Sequence, residues 1–405
     1  MGSIQIDAGT VIVGDGTERT DVQIGVQDSQ IVEVAENGLE NSYDRTVDAS
    51  DRVVMPGLID AHVHLDYPAD PDQLDITGLS DEYLALRAAE LARDALRTGT
   101  TTLADVASRS TSIFSLRDAI ADGVTLGPRL AVCGGMVAIT GGRATGGYNR
   151  GDEGVIIEVD GPDEARKEVR KLLMYHGADL IKLAATGALS SPHTGARDAQ
   201  LTVEEMTAAT EEAHKCGRPV HAHCYGEAGI SNALDAGVDV IVHGQSLTDD
   251  HIDQMHDQGS LLVPTLATFR KLEDRMEILG ERERPDSSGG VREEAVPNFK
   301  RALEAGIPIA AGTDCGMPEV YHGTNPVELV HYVDLGMTPD EAITAGTLTA
   351  ARSLNLEDEL GSIEPGKYAD MLILSADPRE DISRLTDSDT VDRILLDGEF
   401  VEDQL

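Results

Sequence analysis

Between residues 56 and 352 the chain alternates short apolar runs with helix-periodic segments roughly eight times, and that rhythm limits the fold more than any other feature. After a first run ending at Leu65, the runs include Thr100–Val106, Arg129–Cys133, Asp179–Ala184, Arg218–Cys224, Asp239–His243, Leu261–Leu266 and Ile307–Gly312. Asp81–Thr98, Phe114–Ala121 and Pro162–His176 read as helices, the last with Ala165, Val169, Leu172 and Leu173 on one face. Thr202 with Glu205 makes a capping box, and Thr338-Pro339-Asp340-Glu341 repeats it with proline at the first helical position. This alternation fits a closed (β/α)8 barrel. An open doubly wound sheet competes, but the Gly-x-Gly-x-x-Gly phosphate loop usual after its first strand is missing. The expected class is α/β, a TIM barrel over residues 56–352.

The two ends read differently. Ser3–Ile6, Thr10–Val13, Asp21–Val26 and Gln30–Val34 are short strand-like stretches, with turn signals at Gly14-Asp15-Gly16 and Gln27-Asp28-Ser29. They predict a small antiparallel sheet. Ala369–Ser375 and Thr390–Leu396 look alike, with a tight turn at Leu396-Asp397-Gly398-Glu399. Residues 1–55 plus 353–405 are expected to form one small β-sandwich domain, with the barrel as a long insertion between its halves.

In such a barrel the functional residues sit where strands end. The first run closes on His62-Val63-His64, and alternate residues of a strand point the same way. Neutral imidazole is the commonest metal ligand. The fourth run carries Lys182, the fifth ends in His221-Ala222-His223, the sixth in His243, and the last runs into Thr313-Asp314. Metal-capable groups thus gather at one end of one barrel, which chance does not readily arrange. An ammonium cannot bind a cation, so Lys182 is either a structural partner of Asp314 or, as a CO2-derived carbamate, a bridge between two metals. His221 is read as a supporting or core residue one layer below His223.

These motifs resemble the amidohydrolase superfamily. Its features are Pro56-Gly57-Leu58-Ile59-Asp60-Ala61-His62-Val63-His64, Ile181-Lys182, His223, His243-Gly244 and Gly312-Thr313-Asp314, with Gly361-Ser362-Ile363-Glu364-Pro365-Gly366-Lys367-Tyr368-Ala369-Asp370 leading back to the β domain. Within it the chain is most similar to the imidazolonepropionase-like branch that holds metal-dependent Xaa-Pro dipeptidases, in Lys182-Leu183-Ala184-Ala185-Thr186-Gly187, His223-Cys224-Tyr225 and Val263-Pro264-Thr265-Leu266. The resemblance implies two divalent ions, usually zinc. One is on His62, His64 and Asp314, the other on His223 and His243, with carboxylated Lys182 between them. It implies attack of a metal-bridging hydroxide on an amide carbonyl, Asp314 acting as general base and then acid. Tyr225 either donates to the developing oxyanion or is an ordinary residue of the barrel mouth.

Departures bear on the substrate. Arg143 stands where the branch commonly has His after paired glycines; it is either a carboxylate anchor or a surface arginine. Val242 stands where Glu often precedes the metal histidine. His322 either lines the pocket or leads into a helix. The stretch 268–290 reads as a lid or as a solvated insertion. The expected substrate is a small dipeptide, Xaa-Pro among them, or an N-acyl amino acid. The alternatives are a cyclic amide, as for imidazolonepropionase or hydantoinase relatives, a mononuclear deaminase, and a non-catalytic scaffold.

Composition excludes other classes. The net charge is −41, with seven lysines against twenty-five arginines and the acidity spread along the chain. Nucleic acid and anionic membranes are therefore not expected partners. This charge pattern resembles that of proteins from salt-loving organisms, where concentrated salt screens self-repulsion. No stretch suits a bilayer span, and the four cysteines show no Cys-x-x-Cys spacing, so a cytoplasmic protein with reduced thiols is expected. The expected partners are a small-molecule substrate and further copies of the chain.

Overall fold

The computed structural model describes residues 2–73, 75–76, 78–142, 155–188, 194–269 and 291–401. Strands β1 (Ile4–Ile12), β2 (Glu18–Gln27), β3 (Gln30–Ala35) and β4 (Arg45–Pro56) open the chain. With β14 (Met371–Leu374), β15 (Val391–Leu396) and β16 (Glu399–Phe400) they form one seven-stranded sheet, in the order β16-β15-β14-β4-β1-β2-β3. Both ends of the chain feed one core, in which Ile6, Ile24, Val54 and Met371 are fully buried. The sheet is mixed rather than antiparallel, because β1 runs parallel to β4. Ser3–Ile6 and Thr10–Val13 belong to one strand. The register shift between Ala8 and Thr10 marks a bulge on β4, which advances from Ala49 to Val53 opposite Gly9; a Cβ on Gly9 would lie 2.3 Å from the Ser50 carbonyl oxygen.

The barrel follows, in β5 (Leu58–Val63), β6 (Thr100–Asp105), β7 (Arg129–Val132), β8 (Met136–Ile139), β9 (Ile156–Val159), β10 (Ile181–Ala184), β11 (Val220–Cys224), β12 (Val240–His243) and β13 (Leu261–Val263). Pairs β5–β6–β7 and β10–β11–β12–β13 are parallel. Two links complete the ring. Asp179 N–H donates to Val132 O, joining β7 to the approach of β10. Residues 308–311 form the eighth strand position, with Ala310 N–H donating to Leu262 O and Ala61 N–H to Ala311 O. The third strand position continues past Cys133-Gly134-Gly135 into β8, which pairs with β10. Every residue of β5, β6, β10, β11 and β12 is buried, as for parallel strands covered on both faces. Helices of the outer layer start where the caps predict, with reciprocal capping boxes at Thr202/Glu205 and Thr338/Glu341. Pro162–Lys171 is helical as read, but Leu172–His176 widens into a π turn ending on left-handed Gly177.

Arg129 ties the barrel to the β unit. Its guanidinium pairs with Asp397 at 2.5 Å and Asp370 at 3.3 Å, and lies over the Tyr368 ring 4.1 Å from the centroid. All four cysteines are free. No helix among the described residues is long and apolar enough to cross a membrane.

Candidate metal centre

His62 and His64 stand at the C-terminal end of β5, and Asp314 just past the eighth strand position. The three are buried, and their ligand-capable atoms lie within 4.8 Å of one another. Asp314 Oδ1 is 3.3 Å from His62 Nε2 and 3.1 Å from His64 Nε2. The buried carboxyl of Asp60 brings the strand ends together. Its Oδ1 accepts from the backbone N–H groups of His62 and Thr313, both at 3.1 Å, and its Oδ2 from Thr313 Oγ1 at 2.7 Å. Burial pushes the Asp60 carboxyl up to about 7 against the pull of those bonds.

The protonation pattern suits a cation. His64 Nδ1 faces the Ala107 carbonyl at 3.4 Å, and its Nε2 faces Asp314 Oδ1 at 3.1 Å. Burial, then the neighbouring Lys182, hold the His62 imidazole neutral, well below its ordinary range. Burial opposes the charge on Asp314, but its contacts with His62 and His64 outweigh it and keep the group a carboxylate. One carboxylate and two imidazoles converge in a site closed to water. The donor set has the types and the closeness that a divalent metal such as zinc takes, so the residues fit the ion.

Lys182 is buried, with Nζ 3.4 Å from His62 Nδ1 on the far side of that ring. Its strand position is two pairs below the Ala184–His223 pair, so its stem climbs toward the rim. His223 and His243 face each other with ring centroids 4.7 Å apart, and His243 lies 5.6 Å from His62. His223 Nε2 donates to the Gly187 carbonyl at 2.8 Å, which leaves the lone pair on Nδ1. His243 Nδ1 meets Thr265 Oγ1 at 2.7 Å. Tyr225 packs over both rings, at 4.3 Å from His223 and 4.8 Å from His243, and its N–H donates to Thr186 Oγ1. The six residues read as ligands therefore sit at one end of the barrel. His243 and Asp314 both have left-handed backbones, φ 71° and 62°, a strained state that collects at functional sites.

The remaining readings separate. His221 is fully buried and binds the Ser353 carbonyl through Nε2 at 2.7 Å; burial drives its pKa down to about 3, so it is a neutral core residue. His322 is buried against the His64 backbone, with its pKa down to about 3 by burial. Arg143 lies outside the described residues, as does the stretch 268–290 from residue 270 on. Asp60, Asp105, Thr265, Thr268 and Phe269 were not anticipated. Asp105 Oδ2 accepts from Leu65 N–H at 2.8 Å and Ser108 Oγ at 2.7 Å, steadying the backbone just after His64. Its place at the end of an apolar run was the available signal.

A closed (β/α)8 barrel with a buried His-His-Asp cluster at its strand ends, joined to a sheet built from both termini, is the plan of a metal-dependent hydrolase. Residues 53–401 match the amidohydrolase family, and the chain belongs to that family. It is 30% identical to ochratoxinase of Aspergillus niger, covering 98% of this chain and 86% of the relative. A structure of a Xaa-Pro dipeptidase with bound methionine in the active site is 32% identical, with TM-score 0.88 over 98% of this chain and 99% of that one. A putative prolidase from Bifidobacterium longum is 31% identical, with TM-score 0.84 over 99% of this chain and 94% of its own. The chain is a hydrolytic enzyme acting on C–N bonds.

Proposed function

We propose that this enzyme cleaves the amide bond of small substrates bearing a free carboxylate, Xaa-Pro and other dipeptides or N-acyl amino acids, with two metal ions. The observation that carries the reading is the gathering of His62, His64, Lys182, His223, His243 and Asp314 at one end of the barrel. His62, His64 and Asp314 would hold one ion, His223 and His243 the other, and a carbamate on Lys182 would join them; zinc suits the donors. Ions held there would supply a nucleophilic water at neutral pH and polarise the scissile carbonyl.

The chain's own residues do the rest. Asp314 is held as a carboxylate, so it takes a proton at its oxygen and returns it to the departing amine. Tyr225, packed on His223 and His243, donates a hydrogen bond from its phenol to the carbonyl oxygen as charge develops there. Phe269, edge-on to Tyr225, makes that side of the mouth apolar and dry. Arg143 is the proposed anchor of the substrate carboxylate. In this reading the barrel spans 56–352, and the enzyme works in the cytoplasm as a homo-oligomer.

The test is a library of Xaa-Pro and other dipeptides, N-acyl amino acids and cyclic amides, offered to the zinc-loaded enzyme in concentrated salt. Turnover confined to amides with a free carboxylate is expected. Turnover of cyclic amides alone, or of nothing, defeats the assignment.

A further inference from the structure

Glu328 lies outside the ligand set, yet it is wholly buried, and a buried carboxylate needs partners. It sits in the first turn of the Asn325–Asp334 helix. Its Oε1 accepts from the Leu266 N–H at 2.7 Å and its Oε2 from the Ala267 N–H at 2.6 Å. Both oxygens are thus spent on consecutive amides of one segment, 265–269, just past β13.

That segment touches both halves of the metal centre. Thr265 has φ 52°, and its hydroxyl is 2.7 Å from His243 Nδ1. Thr268 Oγ1 donates to the Thr313 carbonyl at 3.1 Å and lies 3.5 Å from Asp314 Oδ2. Phe269 stands edge-on to His243, with centroids 5.9 Å apart. A threonine at positive φ persists only where its surroundings hold it. The two Glu328 bonds fall on the next two residues.

We propose that Glu328 is a positioning residue for both halves of the centre, acting through Thr265 on His243 and through Thr268 on Asp314. The inference rests on the reading of His243 and Asp314 as ligands. Without the carboxylate the two amides lose their acceptors, Thr265 relaxes, and the His243 ring is no longer fixed in tautomer or rotation.

The test compares wild type with Glu328→Gln, Thr265→Val and, as a stability control on the same helix, Leu329→Ala. Glu328→Gln keeps the shape but turns one oxygen into a donor facing a backbone N–H. Hydrogen exchange at the 266 and 267 amides is read in metal-stripped protein. Cobalt(II) affinity and the visible absorption of cobalt-loaded protein are read alongside. Glu328→Gln is expected to speed exchange at both amides, weaken cobalt binding on the order of 10- to 100-fold and shift the absorption band. Thr265→Val, which leaves Glu328 and its amides in place, should shift the same band, so the contacts are read even where Glu328→Gln fails to fold. Leu329→Ala should lower the thermal midpoint and leave the band alone. A wild-type band and affinity in Glu328→Gln or in Thr265→Val overturns the proposal, as does the same shift in Leu329→Ala. Wild type that takes up no cobalt sinks the ligand reading beneath it, a result distinct from failure of the brace.

Discussion

Replacing Asp60 by alanine should cost far more than replacing it by asparagine. Asp60 Oδ1 is the shared acceptor for the His62 and Thr313 amides, and Oδ2 takes the Thr313 hydroxyl. Alanine removes all three bonds in a fully buried place. Each unsatisfied buried group costs about 1–3 kcal/mol, so the loss is about 3–6 kcal/mol after allowing for relaxation. Asparagine keeps an oxygen for the two amides. Its NH2 can donate to Thr313 Oγ1, whose own proton then turns to Cys315 Sγ, 2.7 Å away. Its charge loss is also small near pH 6, where burial already keeps much of the Asp60 population protonated, with its pKa up to about 7. Its cost should stay below about 1.5 kcal/mol. Denaturant titration of the metal-stripped variants in concentrated salt reads the difference, and zinc titration reads its consequence. Asp60 links the backbone of His62 to that of Thr313, next to Asp314, so Asp60→Ala should also lose zinc affinity while Asp60→Asn keeps most of it. Equal destabilisation by the two variants, or Asp60→Ala within about 1 kcal/mol of wild type, would refute the clamp.

Two further predictions follow from the same chemistry. Lys182→Ala is expected to lower bound zinc from about two ions per chain and to reduce activity at least tenfold; full activity with two ions, read by metal analysis, refutes the carbamate bridge. Metal-stripped protein in about 1 M salt, where the Debye length is about 3 Å, should lose thermal stability as pH rises from about 7 to 8.5, above the ordinary imidazole range. Burial raises Asp60 and Asp105 to about 7, so the folded chain keeps protons that the unfolded chain has lost. Their contribution is complete below the ordinary carboxylate range and disappears through pH 7–8. A midpoint that rises over this interval contradicts it.

Sequence reading reached the barrel because its strands are short, apolar and capped by polar ligands, all of which are local signals. It placed His62, His64, Lys182, His223, His243 and Asp314 at one end of the barrel, where they stand, because each lies in or just after such a run. It missed β4 as a strand because charged, exposed residues fill the first half of Arg45–Pro56, and its partners β1 and β14 are distant in sequence. The polar and small residues Asp7-Ala8-Gly9 made one continuous strand read as two. Residues 308–311 illustrate the reverse: an apolar run read correctly, whose closing bonds to Leu262 and Ala61 no local pattern could assign. Glu328 left one trace, a charge between Val327 and Leu329 on a helix whose buried side includes Leu329 and Tyr332. What it holds was invisible, since Leu266 and Ala267 are some sixty residues earlier.

The supporting contacts also bear on how one barrel serves relatives with activities as different in name as Xaa-Pro dipeptidase and ochratoxinase. Each of these imidazoles of the proposed ligand set is met from the loop after another strand: His64 by Ala107 past β6, His223 by Gly187 past β10, His243 by Thr265 past β13. Those loops lie at the strand ends where the proposed site opens, so changing them for a new substrate would also disturb the groups proposed to hold metal. For His64 and His223 the partner is a backbone carbonyl, which survives a change of side chain as long as the loop keeps its path. For His243 it is a side-chain hydroxyl on a strained residue, and its place depends on Glu328 two bonds away. Substitutions around Ala107 and Gly187 should therefore alter specificity with metal affinity intact, whereas those at Thr265 should change both together. Separate measurement of zinc affinity and of KM across such variants distinguishes the two kinds of loop.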